Sequence, residues 1–545
     1  MLIPFSISSK KKQWIIVAIF LLFFVWLGTM SIRGKGATYD EPAHFRYGVR
    51  ILGGNSNRFD DSKMPFSALN AFPSKLAGIL PVNERINGLL TSLFAARMIT
   101  LLVSTLVAFL VFFWSRSLYG FIPGIVSLLL YVFDPNIIAH SQLVTTDLYA
   151  LGSFFLFIYL LWLFARKRTL FNGLWCSFAL GVSCLAKYSS LPLFGISLIA
   201  LFLHDFSSIR YSWQNSRWKT IGSILVKFSI YLVVGTAIAI LVINIGFLFN
   251  RTFTRFGDYQ FRSELFQSIR VDSQFLNNLP VPVPYPYLEG LDWVIYREGT
   301  GKGYGRIYLL GQLREGQGFM GYYLIASLFK VPIATQILVL VSLVVYVFDK
   351  NRRGSILSDE IFLFLPIVFY GIYFNFFFEA QIGIRYYLVI FPFLYVLGGG
   401  LFTKWMHFGR WQVLVSLGLM LYLVVSVLSY YPYYLTYFNE LVWDKTQTYK
   451  YLADSNLDWG QSKTELDRYF TEHQNANDPQ GVPEPGNFVI SVNRLVGVIS
   501  DSDRFRWLRE NFEPVDIIAN YYLVYKISPE QINELCQSTN YCSRP

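Results

Sequence analysis

Charge is scarce in this chain. Only 15% of its 545 residues are Asp, Glu, Lys or Arg, where a soluble protein carries about a quarter. That deficit excludes an ordinary water-soluble fold. The chain has four cysteines, too few for a disulfide framework. It shows no internal repeat, which weighs against a transporter built from inverted halves. The glycine run Gly299-Thr300-Gly301-Lys302-Gly303 lacks the spacing of a phosphate loop, so no nucleotide cofactor is expected. What the chain has instead is apolar mass. Hydrophobic residues make up 54% and aromatics 18% of it, and the mean hydropathy is +0.40. A polytopic α-helical membrane protein is the class these numbers define.

Apolar runs of roughly bilayer length recur along the sequence. They cover 14–30, 95–114, 121–139, 148–164, 170–186, 190–203, 221–249, 322–348, 361–378, 386–401 and 411–430, eleven in all. The net charge of +11 is not a nucleic-acid footprint, because the cations fall in short loops between these runs. With the N-terminus inside, the cytoplasmic loops receive Arg116, Arg166-Lys167-Arg168, Arg210, Arg217, Lys219, Lys350, Arg352, Arg353, Lys404 and Arg410. The alternation predicts eleven spans in a plasma (inner) membrane, a cytoplasmic N-terminus and an extracytoplasmic C-terminus. Lys10-Lys11-Lys12 before the first run could open a signal peptide, but no small-residue cleavage site follows it, so an uncleaved first helix is expected.

The reading divides the chain into a membrane domain, 1–431, with long outer segments at 31–94 and 250–321, and a tail domain, 432–545. Pro280, Pro282, Pro284 and Pro286 predict an extended stretch in the second outer segment. In the tail, an alternating run over 487–496, a helical pattern over 502–511 and a strand-like run over 516–527 predict a small α/β domain. Cys536 and Cys542 can bridge if that tail is outside the cytoplasm. Cys176 and Cys184, inside an apolar helix, read as packing residues.

Ionisable residues collect at the outer ends of the spans: Asp40, Glu41 and His44; Arg97; His140, Thr145, Thr146 and Asp147; Lys187; Glu379 and Arg385. Each alone is more simply a cap, a snorkelling chain or a salt bridge. Asp40 in particular sits where an N-cap would. Together, on one side of a membrane, they fit one reaction. A sugar leaving a polyprenyl phosphate builds negative charge on that phosphate, which Arg97, Lys187 and Arg385 can stabilise. A carboxylate on the other face of the sugar takes the acceptor's proton, and Asp40 is placed for that. Glu41 would orient a partner or hold an ion. Glu41, His44 and Glu379 offer metal-ligating atoms without a diagnostic spacing, so a divalent metal stays open and unassigned.

These residues also carry a resemblance. Asp40-Glu41 follows the first run, and Arg97 opens the second. The segments His140 to Asp147, Gly181 to Lys187, and Arg385-Tyr386-Tyr387 with Pro392 come in order after them, then Asp454-Ser455-Asn456-Leu457-Asp458-Trp459-Gly460-Gln461. The chain resembles the GT-C glycosyltransferases, in particular the protein O-mannosyltransferase and aminoarabinose-transferase group. The resemblance implies a GT-C-like membrane domain, a polyprenyl-phosphate sugar donor and a protein, lipid or glycan acceptor. It implies Asp40 as the base, with Glu41 beside it. Arg97, His44, Asp147, Lys187, Arg385 and Tyr386 then form the substrate-binding set.

The reading that follows is an inverting glycosyltransferase acting at the outer membrane face, with no nucleic-acid partner. The alternative is a transporter or flippase of a lipid-linked intermediate, which would put charges near mid-membrane on broken helices. A structural subunit that recruits partners through its tail would leave the outer charge cluster unexplained.

Overall fold

In the computed structural model the residues described are 9–60, 62–215, 217–303, 305–348 and 356–543. The expected cytoplasmic cations Lys350, Arg352 and Arg353 lie outside them.

In lipid a chain must satisfy its backbone hydrogen bonds internally, so apolar runs become helices. Eight described helices are long and apolar enough to cross a membrane: Lys10–Ile32, Leu93–Tyr119, Asp147–Arg166, Tyr188–Gln214, Trp218–Gly246, Ser358–Phe376, Ile384–His407 and Arg410–Leu428. Three shorter apolar helices, Phe121–Val132, Leu170–Ala186 and Ile333–Phe348, occupy the remaining expected spans. The protein is a multi-pass helical membrane protein with a small sheet-bearing tail.

Two expected spans are broken, both at proline. The run 322–348 divides into Tyr322–Lys330 and Ile333–Phe348 at Val331-Pro332, since proline supplies no N–H and forces its predecessor out of helical geometry. The freed carbonyls find side chains: the Asn439 amide donates to Leu328 O at 2.6 Å and Val331 O at 2.8 Å. The run 121–139 divides where Asp134 caps a new helix, Pro135–His140, accepting from the amides of Asn136 and Ile137. The two breaks meet, for Asn136 Nδ2 donates 2.8 Å to Lys330 O. Lys330 itself is buried, and its ammonium donates to Leu435 O and Asn456 O, both at 2.7 Å. Lys330 thus lies at the end of helix Tyr322–Lys330, against the tail segment.

The tail carries a four-stranded sheet whose spatial order is Ala476–Asn477, Gly486–Ser491, Tyr522–Ile527, Asp516–Ile518. The single strand expected over 516–527 is a hairpin, because Ala519 and Asn520 take left-handed φ values and reverse the chain. The alternating run 487–496 keeps its strand only to Ser491 and then turns into the short helix Val492–Leu495. Helix Arg506–Asn511 covers the second half of the expected helical run. Cys536 and Cys542 form a disulfide, with Cα atoms 5.3 Å apart. Cys176 and Cys184 are free and buried, as packing residues should be. In the second outer segment Pro286 is not extended. It lies in the first turn of helix Tyr285–Thr300, where a missing N–H costs nothing.

The stretch just after the last long helix does not stand apart from the bundle. Tyr434, Tyr437, Asn439 and Asn456 are fully buried, and Ser31 Oγ donates 2.8 Å to Pro432 O. The buried residues of 432–462 are thus packed among the helix ends, and the sheet begins beyond them.

Candidate functional site

The Asp40 side chain caps nothing, although the residue immediately precedes helix Glu41–Leu52. It reaches across the bundle end to Arg385, whose Nη1 donates to Asp40 Oδ2 at 2.9 Å. Arg385 opens the span Ile384–His407, and its guanidinium lies 4.3 Å over the ring of Trp459. Its Nε is buried without a hydrogen-bond partner among the described residues.

A second pair stands beside the first. Asp147, at the start of helix Asp147–Arg166, accepts from Lys187 Nζ at 2.6 Å. The Lys187 ammonium lies 3.7 Å over the Tyr386 ring, and the Arg385 guanidinium approaches that ring at 5.2 Å. Tyr386 therefore sits between two cations, each matched by a carboxylate. Both pairs are mostly buried yet open to solvent on one side: the exposures are 11% and 25% for Arg385 and Asp40, and 18% and 5% for Lys187 and Asp147. Among the described residues, His140 Nδ1, Gln142 Nε2 and Thr145 Oγ1 in the adjoining segment are buried without a hydrogen-bond partner.

Arg97, expected at the donor phosphate, and Glu41, expected to orient a partner or hold an ion, are bonded to each other. Glu41 is fully buried and accepts four hydrogen bonds, from Arg97 Nε and Nη2, from the Thr38 amide and from the Val144 amide, at 2.6 to 3.0 Å. Arg97 gives its remaining Nη donors to Lys35 O and Gly36 O. A carboxylate so saturated has no oxygen left to hold a metal, and a guanidinium so committed makes a poor phosphate contact. The pair ties the Thr38–Glu41 loop to the His140–Asp147 segment, and so fixes where Asp40 and Asp147 stand. His44 is also buried, its Nδ1 3.3 Å from Ser67 Oγ, and burial pushes its imidazole down to about 3, leaving it neutral. Glu379 accepts from the Gly318 amide in the loop before Tyr322–Lys330 and belongs to another cluster. Glu41, His44 and Glu379 do not converge. Among the described residues no group of three or more His, Cys, Asp or Glu is placed to hold a metal ion.

Three contributors were not legible as such. Trp459 forms the floor under Arg385, and its carbonyl accepts from the Tyr39 amide at 3.0 Å, while Gln461 O accepts from Gly36 N at 3.0 Å. The segment 454–461 thereby holds both Asp40's loop and Arg385. Its order in the sequence was visible, its contact with Asp40 was not. Asp454, in left-handed conformation, faces Arg385, Asp458 and Asp40, and burial raises its carboxyl to about 6 against the pull of Arg385. Lys35 donates to Ser31 Oγ at 2.8 Å and Gln142 Oε1 at 3.2 Å beside a void of about 20 Å³, also lined by Arg97 and Gln461. Burial first, and Arg97 second, bring its ammonium down to about 7.

No protein-family model and no curated protein matches the sequence. Among the solved structures similar to this chain are two of one protein. The structures are those of ArnT from Cupriavidus metallidurans. The form bound to undecaprenyl phosphate is 13% identical, with 96% of this chain and 99% of that one covered and a TM-score of 0.30. The apo form is 14% identical, with 95% and 98% covered and a TM-score of 0.30.

Proposed function

We propose that the chain is an inverting glycosyltransferase that moves a sugar from a polyprenyl phosphate to an acceptor hydroxyl at the extracytoplasmic membrane face. The observation that carries this reading is the twin arrangement Asp40–Arg385 and Asp147–Lys187 around Tyr386 at one end of a helical bundle. Two cations that share one ring and keep a little exposure at a bundle end fit a phosphate delivered by the membrane.

The donor phosphate takes Arg385 and Lys187 as its counter-ions, with the free Nε–H of Arg385 as a further donor. Arg385 then leaves Asp40, and a carboxylate that has lost its cation is a stronger base. The acceptor hydroxyl gives its proton to Asp40 as its oxygen bonds to the anomeric carbon. The bond from that carbon to the phosphate oxygen breaks, and its electron pair stays on the phosphate, where the two cations stabilise it as it develops. Attack from the face opposite the phosphate inverts the anomeric centre. Asp147 keeps Lys187 in place, and the buried Glu41–Arg97 pair holds the two loops in register. The products are the glycosylated acceptor and polyprenyl phosphate.

Incubating the purified protein with polyprenyl-phosphate sugars and following polyprenyl phosphate release by mass spectrometry tests the reading. Release that depends on an added acceptor supports it, and uptake of donor without bond cleavage favours the transporter. The cation distribution supports a cytoplasmic N-terminus and an extracytoplasmic tail. A C-terminal reporter active only in the cytoplasm would overturn that orientation.

A further inference from the structure

A polar cleft of about 430 Å³ opens between the two long outer segments, and neither Asp40 nor Arg385 lines it. Asn57 and Arg58 line it from the first segment, and Asn250, Arg251, Tyr285 and Glu289 from the second. Both arginines are held in place. The Arg251 guanidinium lies 3.5 Å over the Tyr285 ring, which is itself stacked on Tyr259 at 4.5 Å, and no described carboxylate pairs with it. Arg58 donates 2.8 Å to Tyr188 Oη and rests against Gly290, where a Cβ would come within 1.7 Å of its Nη2. Only glycine leaves room for that guanidinium.

The turn that presents Arg251 is unusual. Leu248, Phe249, Arg251 and Phe253 all have left-handed φ, between 49° and 65°. Left-handed backbone at non-glycine residues is strained, and strain of this kind gathers at binding sites. The turn directly follows helix Trp218–Gly246 and exposes Leu248, Phe249 and Phe253 by 45%, 54% and 65% around the arginine. An apolar rim at the end of a membrane helix, with a guanidinium in its centre, is built to meet lipid at the headgroup level.

We infer that this cleft binds the headgroup of an anionic phospholipid, a phosphodiester carrying free hydroxyls. Arg58 and Arg251 take the phosphate oxygens, and the Glu289 carboxylate accepts from the hydroxyls. Tyr188, bonded to Arg58 on one side and adjacent to Lys187 on the other, links this site to the donor cations. The assignment does not depend on glycosyl transfer.

The test reconstitutes the full chain in bilayers of equal parts phosphatidylcholine, phosphatidylglycerol and phosphatidylmethanol, extracts it gently, and counts retained lipids by mass spectrometry. Retention should follow the order phosphatidylglycerol, phosphatidylmethanol, phosphatidylcholine. Arg251→Ala should cut anionic-lipid retention about tenfold or more, the loss for a charge-assisted contact. Gly290→Ala should do the same by displacing Arg58, and Glu289→Ala, which removes the acceptor, should level the first two lipids. Arg251 is exposed, so its variant decides the matter alone if Gly290→Ala fails to fold. Equal retention of all three lipids, or an unchanged profile in Arg251→Ala, overturns the site. Displacement by free glycerol phosphate at matched concentration overturns the lipid source.

Discussion

Arg385 and Asp40 are 345 residues apart in the chain and 2.9 Å apart in the folded protein. Trp459, from the tail, lies beneath the guanidinium and hydrogen-bonds the residue before Asp40. Three distant parts of the sequence therefore set the position of one carboxylate. The consequences of that arrangement can be measured.

Asp40→Asn keeps the side chain's shape and removes its basicity. Turnover should fall by about 10²- to 10⁴-fold, the usual contribution of general-base catalysis. Donor binding, measured separately by equilibrium titration with labelled polyprenyl-phosphate sugar, should persist. Near-normal transfer by a folded Asp40→Asn protein would hand the role to another residue, with Asp147 next in line.

Lys187→Met and Arg385→Met should each weaken donor binding by about 1.5–3 kcal/mol, the range for hydrogen bonds to a charged group. The loss should appear in donor affinity and not in acceptor affinity. Donor affinity unchanged in both variants would mean that the phosphate binds elsewhere.

Arg97→Met should act on stability. Removing it strands a fully buried Glu41 carboxylate, at a cost of about 3–5 kcal/mol for a broken buried pair. The melting temperature should fall clearly below that of Lys187→Met, whose ion pair is partly exposed. Equal melting temperatures for the two variants would show that Glu41 is not held in the way described.

Asp454 should impose a pH dependence on stability. Its carboxyl is raised from 3.8 to about 6 in the fold, first by burial. Between those values the folded state binds more protons than the unfolded one. Stability is then fully present near pH 4, falls as pH rises through about 6, and stays lower above it. Asp454→Asn should flatten that slope and raise the melting temperature at pH 7 while leaving it unchanged near pH 4. A slope identical in parent and variant would refute the assignment.

Much of the membrane architecture was written locally. Each span is a run of apolar residues that must bury its own backbone polar groups, a property readable without neighbours, and eight long and three short helices fall on the expected eleven runs. Where local reading went astray, proline or a turn decided: Pro332 and Pro135 divide spans, Pro286 starts a helix, and Ala519-Asn520 folds a strand into a hairpin.

The sequence by itself placed Asp40, Asp147, Lys187 and Arg385 at the ends of apolar runs, because a helix of bilayer length carries its flanking charges to its termini. It also put Asp40, Lys187 and Arg385 among the residues of interest. Only the tertiary structure decided how they pair. Glu41 and Asp40 are neighbours in sequence, yet one is saturated by Arg97 and two amides while the other faces Arg385 and stays a quarter exposed. Hydrogen-bond capacity is spent between residues brought together by packing, and a short motif carries no record of which partner a side chain will meet.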